Sequence, residues 1–424
     1  MNIKKLCNGV RLCCHKTTQF KTSVVSLNII TPLDKNASQK ALLLHLLART
    51  NKDNPTLTAM NRKLASLYGA VITPSVNKIG ESQVLTLTLA CIDERFALEG
   101  EPVLAEGINL LLDCLFTPDI TPEGFKDENI EREKRLLCEK IDSLNDDKIR
   151  YAYKRMISEM CCNENYGISE LGEKDEITKI TGKELFNVWK QILLFGNIQI
   201  NITGNFNELL IEDSILHRFE ALERKKDDII QSRTEFITES YGSRTVTEKQ
   251  KVQQSKLVIG MRAGMTYDMD NFAAIKVMTA IFGSGTFSKL FMNVREKLSL
   301  CYYCSARLIN SKGLIVVQSG VETENIEKAL EAIRHELDEV RLGSFTDEDI
   351  RAAKLSLKDT YSSISDSVAT IDNWCTLQCM SGEFLTPEDY IAMIENVSRE
   401  EIIVAANMVT EDTVFILESE KEEA

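Results

Sequence analysis

Residues 23–30 read SVVSLNII, and residues 41–48 read ALLLHLLA. The first segment is a β-branched run typical of a strand, and the second is a nearly all-apolar segment typical of a buried helix. The same order returns in the second half, where SKLVIGM (255–261) precedes DNFAAIKVMTAIF (270–282). We therefore interpret the chain as two copies of one strand–helix plan.

Both halves continue through the same series of parts. After the first helix come a segment that we leave unassigned as a whole, a strand, an amphipathic helix, a long helix, a helix with a capping box and a closing strand. In the first half these segments are 64–76, 83–90, 104–115, a helix from Thr121 to about Met160, Thr181-x-x-Glu184 and 197–204. In the second half they are, in the same order, 297–309, 314–320, 326–340, a helix from Thr346, Ser398-x-x-Glu401 and 413–417.

We predict an α+β fold of two homologous domains, each a mainly antiparallel β-sheet flanked by α-helices. Along the predicted strands, residues that would be buried alternate with residues that would face solvent. This alternation favours sheets with one face covered by helices. The predicted domains are residues 1–222 and 251–424, joined by a charged linker at 223–250. That two α+β domains share an order of elements by chance is the alternative.

Composition and charge exclude several classes of protein. A chain of 424 residues exceeds one ordinary core, which favours two or three domains. A net charge of −14 with no basic stripe argues against nucleic acid as a partner. We find no apolar run near the roughly 18 residues of a membrane span and no signal-peptide segment at the start. We therefore expect no membrane association and a cytoplasmic location.

Two cysteine pairs resemble metal motifs. Cys301 and Cys304 form a CxxC pair in a predicted strand, where residues i and i+3 point to opposite faces, so we expect their thiols to diverge. Cys375 and Cys379 share a helix face, but no second pair or nearby histidine completes a zinc site. We expect both pairs to be buried structural cysteines, in keeping with the reducing cytosol that twelve scattered cysteines indicate.

The segment FGSGTFSKLFMNVREKLSLCYY (282–303) resembles the Gly-rich loop and Arg-Glu-Lys…Leu-x-Tyr segment of the pitrilysin/insulinase-type peptidases. The resemblance covers nearly the whole chain. Within the family, the chain resembles the two-chain branch that includes mitochondrial processing peptidase. Residues 131–160 are most similar to inactive bacterial members of that branch. The resemblance implies a processing-peptidase-like fold in which the first domain of an active chain holds zinc through an H-x-x-E-H helix and a distant glutamate.

That motif needs two imidazoles four residues apart, a carboxylate ligand and a glutamate that polarises the zinc-bound water. Residues 45–49 read HLLAR, so the resemblance puts Ala48 at the base position and Arg49 at the second ligand position. Ala48 cannot take up a proton, and the protonated Arg49 offers no lone pair to a metal. Aligning the long helix puts Lys140 at the distant ligand position, with Glu139 about 100° away around the helix.

We therefore expect a degenerate zinc site at His45, Ala48, Arg49 and Lys140, and neither a metal nor another cofactor on this chain. On one interpretation His45 is an ordinary packed, hydrogen-bonded helix residue and Arg49 and Lys140 are solvated. On another, the two cations form a pocket that replaces the positive charge of zinc. Peptide binding after Arg49→Ala and Lys140→Ala separates the two.

Arg295 and Tyr302 match the family's Arg…Tyr pair, which contacts substrate near the scissile bond and can donate to a carbonyl oxygen that gains charge. Gly283 and Gly285 match a glycine-rich turn near bound peptide and lack the spacing of a phosphate loop. The alternatives are a packed tyrosine with a surface ion pair, and a tight turn between helices. In two-chain members the zinc domain of one chain faces the second domain of the other.

The sequence thus predicts a non-catalytic subunit that pairs with an active zinc-peptidase-family chain and helps to bind a peptide or protein substrate. Zinc is expected only on that active partner; a homodimer is the other assembly considered. The resemblance also implies a link to aminopentanol modification of elongation factor P. Alternative functions are a stand-alone peptide-binding or scaffold protein and a zinc endopeptidase with an unconventional site.

Overall fold

The structure of the protein, a computed structural model, describes residues 2–240, 242–265, 271–382 and 384–420. The chain divides into two compact units, each discontinuous in sequence. The first unit takes in residues 1–141, 168–233 and 364–384, and the second takes in 142–167, 234–363 and 385–424.

The units therefore differ from the continuous domains 1–222 and 251–424. Residues 142–167 of the first half belong to the second unit, and residues 364–384 of the second half belong to the first. The segment 223–250, expected to be a linker, is divided between the two units after residue 233. Arg224 in that segment is buried against backbone carbonyls, and Arg244–Gln250 forms a strand.

The first unit contains a six-stranded sheet in the order β1-β2-β8-β3-β5-β4 and a separate short pair, β6 and β7. Neighbouring strands are antiparallel except β2 and β8. The strands are β1 (Asn2–Cys7), β2 (Val10–Lys16), β3 (Thr22–Pro32), β4 (Val71–Ile79), β5 (Ser82–Ile92), β6 (Ile120–Thr121), β7 (Gly124–Phe125) and β8 (Asn197–Gly204).

The helices of the first half alternate with these strands. They are α1 (Ala37–Leu47), α2 (Leu57–Ser66), α3 (Val103–Phe116), α4 (Asp127–Asp146), α5 (Lys148–Met160), α6 (Lys174–Ile177), α7 (Gly182–Phe195) and α8 (Glu208–Glu220). The segment SVVSLNII lies within β3, at the interior of the sheet, and ALLLHLLA supplies most of α1, which packs against β5 and α7. Nine of the eleven α1 residues are buried, which explains its nearly uniform apolarity.

The second unit repeats the plan with a five-stranded sheet in the order β11-β12-β10-β13-β9. Its strands are β9 (Arg244–Gln250), β10 (Ser255–Arg262), β11 (Cys301–Ile309), β12 (Leu314–Val321) and β13 (Thr410–Ser419). The helices of the second half are α9 (Phe272–Gly283), a π-helix (Leu290–Lys297), α10 (Ile326–Arg341), α11 (Asp347–Ser362), α12 (Val368–Ser381), α13 (Pro387–Glu395) and α14 (Arg399–Met408). The predicted start of α9, Asp270, lies outside the described residues.

Each unit takes a helix from the other half of the sequence. In the second unit, α5 packs on β10 and β13 through Met156 and Met160. In the first unit, α12 packs on β3 and β8, where Ser26 donates to Asp372 at 2.6 Å. These helices cover sheet faces that the alternating pattern had left to solvent, so the expected one-sided burial was wrong for β3, which is buried on both faces. Ser26 of β3 thus faces a helix side chain instead of water.

The predicted capping boxes at Thr181 and Ser398 are confirmed, since each hydroxyl accepts from the backbone N–H three residues later and each glutamate reaches back. The single long helix from Thr121 to Met160 was wrong. Thr121 ends a two-residue strand, and the helical segment breaks into α4 and α5 at Asp147. Asp147 caps α5 by accepting from the backbone N–H groups of Ile149 and Arg150.

Candidate functional site

His45 lies in the last turn of α1, partly buried within the first unit. Its Nε2 atom is buried and has no hydrogen-bond partner among the described residues. Burial, together with the positive charges of Lys140 and Arg49, lowers the pKa of His45 to about 4. The imidazole is therefore neutral at pH 7, and the interpretation of His45 as an ordinary packed, hydrogen-bonded residue stays a prediction.

Arg49 follows α1 and points to a buried carboxylate. Its Nε atom lies 2.6 Å from Oε1 of Glu133, although its N–H does not point along a hydrogen bond. The Glu133 side chain is only 4% exposed, and the same Oε1 atom is 3.3 Å from Nε of Arg132. Two guanidinium groups thus share one carboxylate oxygen beside the degenerate metal position.

Helix α4 carries Glu133 and Lys140 on one face, because seven residues make nearly two full turns. Lys140 is exposed, yet it is near enough for its charge to act on His45. Glu139 forms an exposed ion pair with Arg135 at 2.8 Å. The structure therefore brings His45, Arg49 and Lys140 together and directs Glu139 to another partner.

Zinc does not fit this set of side chains. One neutral imidazole is surrounded by cations, and Ala48 adds no donor atom. Within the described ranges, no group of three or more His, Cys, Asp or Glu side chains is arranged to hold a metal ion. A divalent cation would have to approach Arg49 and Lys140 against their charge. The residues at this position favour an anion over a metal.

Glu133 and Arg132 were missed by sequence reasoning. The available signal was a glutamate on the same helix face as Lys140, seven residues earlier, within an amphipathic helix. A charged residue on the buried side of such a helix needs a partner, and Arg49 was already singled out as a cation. The pairing itself required the three-dimensional placement of α1 against α4.

Arg295 and Tyr302 lie in the second unit and are accessible. Arg295 belongs to the π-helix, where its guanidinium lies 4.5 Å from the Phe291 ring centroid. Tyr302, at the start of β11, is 67% exposed. The Arg295 charge also acts on Cys301, next to Tyr302. A guanidinium and a phenol are thus available at one edge of this sheet as hydrogen-bond donors.

The glycines at 283 and 285 have structural reasons of their own. A Cβ atom on Gly283 would lie 2.4 Å from Cβ of Ala306, so only glycine lets α9 approach β11 this closely. Gly285 has φ of +98°, a conformation that other residues adopt only with strain. A role for either glycine near bound peptide stays a prediction.

The expected divergence of the Cys301 and Cys304 thiols was wrong. The pairing of β11 with β12 shifts register between Cys301 and Tyr303, so a β-bulge at Tyr302 returns both cysteines to one buried face. Their thiols are hydrogen-bonded to one another. This bond, with Ser319 and the charge of Arg295, lowers the pKa of Cys301 to about 7.

Cys375 and Cys379 are buried, as expected of structural cysteines. They pack with Cys13 of β2 in a small apolar cluster of the first unit. Sequence reasoning missed Cys13, because nothing in the spacing of residues connects β2 with α12. Thiol–thiol hydrogen bonds, together with burial, raise the pKa of Cys13 and Cys379 well above the usual thiol range.

Comparisons with known proteins agree with this geometry. Residues 179–357 match the family model described as the Peptidase M16 inactive domain. A Bacillus subtilis protein named probable inactive metalloprotease YmfF is 31% identical over 403 residues, 95% of this chain and 94% of that protein.

Two crystal structures share the fold over the whole chain. A conserved protein from Enterococcus faecalis is 27% identical with a TM-score of 0.90, covering 100% of this chain and 99% of the other. A structure from Pseudomonas fluorescens, described as a peptidase M16 inactive domain, is 15% identical with a TM-score of 0.80 and the same coverage. None of the described helices is long and apolar enough to cross a membrane.

Proposed function

The chain belongs to the M16 peptidase family as a non-catalytic homologue, and on that premise we propose that it is a cytosolic subunit that pairs with an active zinc peptidase of the family. In this proposal its second unit helps to bind the peptide or protein that the partner's zinc site acts on.

One observation supports the proposal: the predicted metal position and the predicted substrate-binding residues differ in what their side chains can do. The metal position in the first unit is occupied by Arg49 and Lys140, so no zinc-bound water can be generated there. Arg295 and Tyr302 in the second unit remain accessible as hydrogen-bond donors. Donors of this kind stabilise a carbonyl oxygen as it gains negative charge, a function that requires a reaction centre supplied from elsewhere.

Co-purification tests the pairing. The chain is expressed with an H-x-x-E-H-bearing peptidase of the same family, and the complex is measured by size-exclusion chromatography with light scattering. We expect one copy of each chain and zinc only on the partner. A chain that stays monomeric or forms only homodimers beside every such peptidase of its own genome would contradict the proposal.

The substrate is the finer part of the proposal. Only the family resemblance supports a role for this chain, together with a peptidase, in aminopentanol modification of elongation factor P. Deletion of this chain should then remove the modification, which intact-mass spectrometry of elongation factor P detects. An unchanged mass would contradict this assignment and would leave the pairing itself to the co-purification test.

A further inference from the structure

The Nε2 atom of His45 is a buried polar atom without a partner among the described residues. Leaving such an atom unpaired is unfavourable, so native proteins usually satisfy it with protein, water or ligand. The imidazole is neutral, and with a proton on Nε2 it can donate one hydrogen bond. A group that accepts this bond would remove the penalty.

The charges around His45 specify which kind of group. Arg49, Arg132 and Lys140 are positive, and the first two share the single carboxylate of Glu133. Lys140 has no ion pair with any described residue. The neighbouring acidic side chains of α4 are already paired: Glu131 is 2.7 Å from Lys134, and Glu139 is 2.8 Å from Arg135. Positive charge is therefore in excess beside a buried imidazole that has no acceptor.

We infer that His45, Arg49 and Lys140 form a binding site for a carboxylate group, provided by the C-terminus of a peptide. A carboxylate accepts from an imidazole N–H and from an ammonium group at the same time, and it offsets the surplus charge. The position that holds a metal cation in an active peptidase thus holds an anion here. That the carboxylate belongs to a peptide rests on the proposed function; binding of the carboxylate itself does not.

Peptide binding by the purified full-length chain gives the first test. Fluorescence anisotropy compares three forms of one labelled peptide: a free C-terminal carboxylate, a C-terminal amide, and an amide with a glutamate at the last position. We expect the free acid to bind about tenfold more tightly than the amide. The glutamate form distinguishes a side-chain carboxylate from a C-terminal one, because the inference predicts that it binds as weakly as the plain amide.

Lys140 is the residue to change, because it is exposed and its loss leaves no buried charge unpaired. Lys140→Gln should abolish the preference for the free acid, and Lys140→Arg should retain it. Arg135→Gln is the matched control on the same helix, since Arg135 pairs with Glu139 instead. A preference for the acid that survives Lys140→Gln would overturn the inference.

A second readout needs no peptide. The chain has four histidines, so the His45 imidazole signal can be assigned by NMR from the spectrum of His45→Gln. Sodium acetate should raise the pKa of His45 in the wild type, because a nearby anion favours the imidazolium, and should do so less in Lys140→Gln. Sodium chloride at equal ionic strength controls for screening.

The two readouts separate the inference from the proposed function. If acetate acts on His45 but no peptide binds, the carboxylate site stands and the peptide-binding function fails. If peptides bind with equal affinity as acid and amide and acetate does not affect His45, the carboxylate site is refuted and peptide binding stands.

Discussion

At the predicted metal position of the first unit, two guanidinium groups are paired with one buried carboxylate, whereas Lys140 has no ion pair with any described residue. Arg49 and Arg132 share the buried Glu133, and His45 is neutralised by burial and by the charge of Lys140. In the second unit, Tyr302 is exposed and Arg295 rests against Phe291 without a buried partner. The two regions differ in that Arg49 and Arg132 have a carboxylate partner inside the fold, whereas the side chains of Arg295 and Tyr302 are accessible.

Zinc content gives the largest contrast between the two regions. The purified chain should contain far less than one zinc per molecule, and His45→Ala should not change that value, because one neutral imidazole beside two cations cannot hold the metal. Inductively coupled plasma mass spectrometry after zinc loading measures it. Stoichiometric zinc in the wild type that is lost in His45→Ala would show that the first unit does hold the metal.

Glu133 should be the residue of the first region whose change costs most stability. Glu133→Gln leaves Arg49 and Arg132 without their shared carboxylate and should lower the free energy of unfolding by about 3 kcal/mol. Glu139→Gln, which breaks an exposed pair on the same helix, should cost less than about 0.5 kcal/mol. Urea unfolding measures both, and equal effects would show that the Glu133 network is not structural.

The pH dependence of stability should report His45. Its pKa is lowered from 6.5 to about 4 in the folded chain, so the fold disfavours the protonated form. The resulting stabilisation is present above pH 6.5 and is lost as the pH falls from 6.5 to 4. Across that range the wild type should lose about 2 kcal/mol more than His45→Gln. Parallel stability curves for the two proteins would show that the imidazole is not protected from protonation.

Substitutions in the second region should hardly affect stability. Arg295→Ala removes a partly exposed contact with the Phe291 ring and should cost less than about 1 kcal/mol. Tyr302→Phe should cost still less, because the side chain is largely exposed. A loss of several kcal/mol in thermal unfolding would mean that these residues serve the fold instead of a binding surface.

Much of the fold could be predicted from local sequence. The β-branched run within β3, the apolar α1 and the capping boxes at Thr181 and Ser398 are signals that lie within a few residues of one another. The exchange of α5 and α12 between the units could not be predicted in this way. An amphipathic pattern shows that a helix has a buried face, but it does not show which sheet covers that face.

The same limit explains the site. The resemblance predicts replacements at Ala48 and Arg49 because the metal motif is short, and it predicts Lys140 by alignment along one helix. The pairing of Arg49 with Glu133 joins two residues more than 80 positions apart in the sequence, and no local pattern encodes it. The convergence of Cys301 and Cys304 depends on one bulged residue, Tyr302, which reverses the alternation of side chains along β11.

We propose above that this chain supplies Arg295 and Tyr302 to a zinc site on another chain. The most direct measurement is kcat/KM for peptide hydrolysis by the purified complex with its active partner, wild type against Arg295→Ala. We expect a loss of about a hundredfold, with zinc content and the amount of complex unchanged. An Arg295→Ala complex that hydrolyses peptide as fast as the wild type would contradict it.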